Sequence, residues 1–187
     1  MHVLRVVRVL LLVLIVAAVV GAGSSVLSAR PDLQKAKRNV DTSWSSLSAQ
    51  LDQRYVLLAN VDVALRPIHG PIQTLVGDVD AAIKHWKDVR GHSGIATQVK
   101  AANNVEGLAR RLVATAGASP RVKNNDATVS PALVDFLANQ AKLTAGGTFN
   151  QNVVKYENER RGPVRAIVAS LLGDSEIPVL DATPVTT

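Results

Sequence analysis

Between residues 40 and 65 apolar side chains return at alternating spacings of four and three: Val40, Trp44, Leu47, Leu51, Leu58, Val61 and Leu65, with Arg54 in the one remaining place. That period is one face of a helix held over more than three heptads, and it predicts a helix from about Asp32 to Leu65. At 1.5 Å per residue such a helix is roughly 50 Å long. A stripe of this kind has to be covered, so it predicts packing against other helices. Arg54 on the seam is expected to snorkel or to pair with a nearby acid; a functional charge is the alternative.

The pattern continues after a break. Pro67 and Gly70-Pro71 turn the chain, with Pro71 suited to a first helical position. Ile72, Leu75, Val76, Val79, Ile83, Trp86 and Val89 form a second stripe ending near Gly91, and Ile95, Val99, Ala102, Val105, Leu108, Leu112 and Val113 form a third ending at Gly117. Residues 117–130 are rich in Ala, Ser, Pro, Asn and Asp and read as a loop. Ser130 is the expected N-cap of a fourth helix, with Pro131 at its first position. That helix carries Leu133, Phe136, Leu137 and Leu143, and Gly146-Gly147 should interrupt it. The last stripe uses Phe149, Val153, Tyr156, Val164, Ile167, Val168 and Leu171, with a kink expected at Pro163. Beyond Gly173 two prolines and little pattern predict a mobile tail.

No alternation of the strand kind runs through the chain. The expected fold is therefore all-α: an N-terminal transmembrane helix followed by an antiparallel bundle of about four long helices. The span is placed at 9–29, where 21 residues carry no charge, enough to cross roughly 30 Å of hydrocarbon. A basic stub, residues 1–8, precedes it; the bundle is assigned to 30–172 and the flexible tail to 173–187. A cleaved signal peptide is the competing reading of 9–29, but the run outlasts a usual signal core and no cysteine is present for lipid attachment.

Composition alters this picture in two ways. The net charge of +6 sits almost wholly in residues 1–40, where six bases face one acid; the other 147 residues hold 15 bases and 14 acids. The body is thus nearly neutral and lacks the basic face a nucleic-acid binder needs. Only 3% of residues are aromatic and none is cysteine, which excludes a stacking platform for single strands, a thiolate nucleophile and Cys-ligated metal. Orientation draws on two opposed arguments. Four Lys/Arg residues follow the span within ten positions and favour a cytoplasmic body, whereas a span behind a short basic stub has the form of an export signal and long domains translocate largely regardless of charge. The expected body is extracytoplasmic.

Three landmarks carry a family resemblance. Val40-Asp41-Thr42-Ser43-Trp44 continues through Leu47, Gln50-Leu51 and Arg54-Tyr55 to Leu58 and Asn60-Val61. Ser119-Pro120-Arg121-Val122-Lys123-Asn124-Asn125 follows, and then Phe149-Asn150, Val153, Tyr156 and Pro163. In this order around one N-terminal span they resemble the LemA family, over roughly residues 9–172. Ala59, Ser119 and Glu157 depart from its pattern, as do Gln140 and Gly146, which replace an acid and an arginine, so the chain resembles a divergent member lacking that polar network. The resemblance implies a membrane-anchored four-helix-type bundle with no established enzymatic activity, and it brings no catalytic site. The residues it singles out for interaction or structure are Trp44, Arg54, Tyr55, Asn60, Pro120, Lys123, Asn125, Asn150 and Tyr156.

Other arrangements are weaker. His85, Asp88 and His92 lie three and seven residues apart on one helical face, but Gly91 should end the helix before His92. Gly91-His92-Ser93-Gly94 lacks the glycine spacing and the preceding strand of a nucleophile elbow. Glu157 and Glu159 fall on different faces, and Gly21-Ala22-Gly23 reads as a helix-packing patch. No catalytic residue, metal or cofactor is expected. The expected function is a non-enzymatic membrane-anchored bundle of the LemA type that binds or scaffolds other envelope proteins; its partners are the lipid bilayer and envelope proteins, not nucleic acid. A homo-oligomer stays open, because the stripe around Leu47 and Leu51 can be covered within one chain or between two. The alternatives are a membrane-tethered sensor acting through a partner and a hydrolase built on His85 or His92.

Overall fold

Helix α1, His2–Leu65, runs the length of the body, and the longer helices that follow are laid against it. The computed structural model describes the backbone of residues 2–123, 126–140, 143, 145–162, 166, 169–170 and 175–181, and of these the side chains from residue 31 on, except those of 126 and 145. The span expected at 9–29 thus lies outside the residues whose side chains are described. Among the described residues no helix is long and apolar enough to cross a membrane, and all regular structure is helical.

The buried positions of α1 are those of the four-and-three stripe: Val40, Trp44, Leu47, Leu51, Arg54, Leu58, Val61 and Leu65, extended upstream by Leu33 and Ala36. The helix does not stop at Pro31, where the sequence placed a boundary between span and body. A proline has a helix-compatible φ and removes one donor, so the helix can run through it, with Leu33 and Ala36 packed just beyond. After Leu65 the chain turns at Gly70, whose φ of +120° an L side chain rarely adopts. Helix α2, Pro71–Val89, starts with proline where a missing N–H costs nothing, and buries Ile72, Leu75, Val76, Val79, Ile83, Trp86 and Val89. A turn through Gly91, at φ +75°, leads to α3, Ile95–Ala118.

Two corrections concern the connection that follows. Residues expected as a loop contain a short turn of helix, α4 (Pro120–Lys123), held by the buried Val122. Helix α5, Asp126–Gln140, begins ahead of the expected cap at Ser130 and places Pro131 inside it. Val129 is 1% exposed, so core packing anchors a turn that capping arguments would leave outside. The expected break near Gly146-Gly147 falls at residue 143, and the two glycines lie in the first turn of α6, Ala145–Arg160. Pro163 and the stripe residues Val164, Ile167, Val168 and Leu171 lie outside the described residues or their side chains.

Cross-helix contacts fix the directions. Asp52 meets Trp86 while Arg66 approaches Asp80 at 3.8 Å, so α2 runs antiparallel to α1. Trp44 meets Gln98 and Arg54 meets Glu106, so α3 runs parallel to it. Arg54 also meets Phe136, Trp44 meets Phe149, and Asn152 reaches the Asn39 carbonyl, so α5 and α6 descend along α1 as one broken fourth member. The result is an up-down-up-down bundle.

Candidate functional site

The motif on α1 is built inward. The indole of Trp44 donates to Gln98 Oε1 at 3.0 Å, and Gln98 in turn donates to the Ser93 carbonyl at 2.6 Å, tying α1 to the start of α3. Trp44 packs against Trp86 (6.1 Å between centroids, 75°) and Phe149 (5.1 Å), and Tyr55 meets Trp86 edge-on at 5.4 Å and 89°. These are favourable quadrupole arrangements, and they join α1, α2 and α6 through rings alone. Asp52 completes the cluster from outside: it accepts from the Trp86 indole at 2.8 Å and from Arg90 Nε at 3.2 Å.

Arg54 is fully buried. Its Nε and Nη2 donate to the two oxygens of Glu106 at 2.9 and 3.2 Å, its Nη1 donates to the Phe136 carbonyl at 3.1 Å, and its guanidinium lies 4.0 Å from the centre of the Phe136 ring. The expectation of an acid partner is met by Glu106 on α3, a residue the sequence did not single out. The fork geometry explains why arginine stands here: one planar cation satisfies a bidentate carboxylate, a carbonyl and a ring face together. Tyr55 donates to the Ala102 carbonyl at 3.3 Å. Burial pushes its phenol well above the ordinary tyrosine range, with the negative Glu106 adding to the effect.

The remaining motif residues are dispersed. Asn60 is exposed on α1, in a groove of about 410 Å³ that it shares with Asp52, Tyr55, Val56, Ala59, Trp86 and Lys87. Pro120 and Lys123 are exposed on α4, Pro120 at the rim of a separate cavity of about 820 Å³ beside Gly70. Asn125 lies outside the described residues. Tyr156 is buried, with Arg160 stacked 5.6 Å from its ring centre.

Asn150 does something the sequence did not foretell. Its Nδ2 donates to the Leu180 carbonyl and its Oδ1 accepts from the Leu180 N–H, both at 2.8 Å. On the other side of the same stretch, Asn103 of α3 donates to the Val179 carbonyl at 2.9 Å and accepts from the Asp181 N–H at 2.8 Å. Glu157 accepts from the Ile177 N–H at 2.9 Å, and Arg110 donates to the carboxylate of Asp181 at 2.7 Å and to its carbonyl at 3.1 Å. Ile177 and Leu180 are buried. Residues 177–181, expected to be mobile, are therefore held in a slot between α3 and α6. The signal that was present is the aliphatic run Ile177-Pro178-Val179-Leu180 inside an otherwise polar tail; the proline pointed away from it.

His85, Asp88 and His92 are all exposed, and the turn at Gly91 takes His92 off the α2 face. Among the described residues no group of three His, Cys, Asp or Glu side chains could hold a metal ion. No family model, curated protein or solved structure matches the chain.

Proposed function

We propose that the protein is a non-enzymatic helical bundle of the LemA type, held at the cell membrane by residues 9–29, whose body binds or scaffolds other proteins of the cell envelope on the extracytoplasmic side. One observation carries the reading: four of the motif residues spend their polar groups on bonds within the chain. Trp44, Arg54, Tyr55 and Asn150 are each committed to a partner within the chain. What the bundle offers to other molecules is then helix surface. On α1 that surface includes Val56 and Val63, 60% and 59% exposed and seven residues apart, with Asn60 between them. Apolar side chains left bare at helical spacing suit contact with another protein better than chemistry on a small molecule.

The test is a photo-crosslinking side chain placed at Val56 or Val63 of the full chain in living cells, combined with an alkaline wash of the membranes. The reading expects the chain to stay in the washed membrane and to trap an envelope protein from these positions. A chain that is released by the wash, or that stays monomeric and traps nothing, would sink it.

A further inference from the structure

A strand normally satisfies its two edges on neighbouring strands. Residues 179–181 have none, yet both edges are satisfied. The N–H and C=O of Leu180 face Asn150 on α6; the Val179 carbonyl and the Asp181 N–H face Asn103 on α3. A carboxamide carries one acceptor and a donor side by side, so it pairs with a peptide backbone as another peptide would. Such contacts read an extended chain without regard to its sequence. Specificity comes from elsewhere: Ile177 and Leu180 sink into the slot, and Arg110 grips the carboxylate of Asp181. Pro178 stands at a position where no hydrogen bond to a side chain would use an N–H, since the donors engaged are those of 177, 180 and 181. Beside Ile177 and Pro178 the slot widens into a cavity of about 510 Å³ flanked by Val153, Glu157 and Arg160, with room for larger side chains at those places.

We infer that this slot is a docking site for an extended segment of a partner protein, occupied in cis by residues 177–181 of the chain itself. The inference rests on the protein-binding reading above and gives it a place and a chemistry. The partner segment has an aliphatic residue, a second aliphatic residue three positions on, and a carboxylate directly after it. The backbone ladder supplies affinity and the two aliphatic anchors with the carboxylate supply choice, as in other modes of strand addition. Because the occupant is tethered, it competes at an effective concentration on the order of millimolar. A partner thus docks only where it is concentrated, as it is when both are confined to one membrane.

The experiment uses the full chain in detergent and a fluorescent peptide with the sequence of residues 175–181. Leu180→Asp should expel the tail, because it puts a charge where a buried aliphatic anchor sat. The labelled peptide is expected to bind this variant at least about tenfold more tightly than the parent. Adding Asn103→Asp and Asn150→Asp, which turn both backbone-facing donors into acceptors, should abolish that binding. Leu180→Ala serves as a milder release should the aspartate variant lose its helical signal in circular dichroism. The inference is overturned if folded release variants bind the peptide no better than a peptide carrying aspartate in place of the leucine. It is also overturned if the parent forms a concentration-dependent dimer that Leu180→Asp dissolves, since the slot would then belong to the tail of a second copy. Failure here with crosslinks from Val56 and Val63 intact would remove the slot and leave the protein-binding function standing.

Discussion

Two buried charges on α1 make opposite predictions. Arg54 has every donor group named above engaged, by Glu106 and the Phe136 carbonyl, so removing it strands a carboxylate in the core. Arg54→Met is expected to cost about 3–5 kcal/mol in thermal or denaturant unfolding, and Arg54→Met/Glu106→Met to recover most of that loss, because an apolar pair of similar volume avoids burying charge. Asp62 is the contrary case. One of its oxygens is buried without a partner, and the other accepts from Arg66, which is itself 57% exposed. Burial raises its carboxyl pKa, Arg66 opposes that, and Asp80 adds to it. A carboxyl that holds its proton more tightly in the folded state stabilises the fold at acid pH, and that contribution is lost as pH climbs from the ordinary carboxylate range through the raised value. Asp62→Asn should therefore gain stability over the parent as pH rises from about 4 to 7. A melting-temperature difference that stayed flat over this range would refute it.

At the scale of elements, the turn at Gly70 and the glycine inside α2 separate two meanings of one residue. Gly70 has φ +120°, and a Cβ there would lie 3.3 Å from Arg121 Nη1, which donates to the His69 carbonyl at 2.7 Å. Gly70→Ala is expected to destabilise the bundle by about 1–3 kcal/mol. Gly77 sits exposed within α2 with nothing near its missing Cβ, so Gly77→Ala should stabilise by about 0.5–1 kcal/mol. Chemical denaturation of the two variants checks both signs together. The stretch of α1 from residue 32 to 65, α2 and α3 were legible because their faces repeat; every residue of the α2 stripe is buried, whereas the continuity of α1 through Pro31 was not foreseen. The start of α5 was not, since Ser130-Pro131 is a sound cap by local rules and only the tertiary burial of Val129 overrides it. For the same reason Arg54 was visible as an anomaly on a stripe while its partner Glu106 was not: a single acid on a polar helix surface carries no sign that it faces inward. The slot was still less legible, because it is made of two asparagines 47 positions apart and a tail that has no period of its own.

At the scale of the whole chain, the proposed span raises the question of which side of a membrane this nearly neutral body would occupy. The charge lies at one end: residues 1–40 carry six bases and one acid, and among them Lys37 is already paired with Asp41 at 3.1 Å. An exposed ion pair of that kind contributes little to stability, and Lys37 still counts toward the orientation of the proposed span, because acidic residues weigh little there. That flank therefore offers Arg30, Lys35, Lys37 and Arg38, set against Arg5 and Arg8 on the other. The proposal of an exported body rests instead on the tendency of long domains to translocate largely regardless of flanking charge. A protease added to intact cells should then digest a tag at the C-terminus, and replacing Lys35 and Arg38 with glutamine should leave that digestion unchanged. Protection of the tag until the cells are lysed would place the body in the cytoplasm. The search for partners would then move from envelope proteins to cytoplasmic ones. The slot between α3 and α6 would keep its chemistry, because nothing in the pairing of Asn103 and Asn150 with an extended chain depends on the compartment.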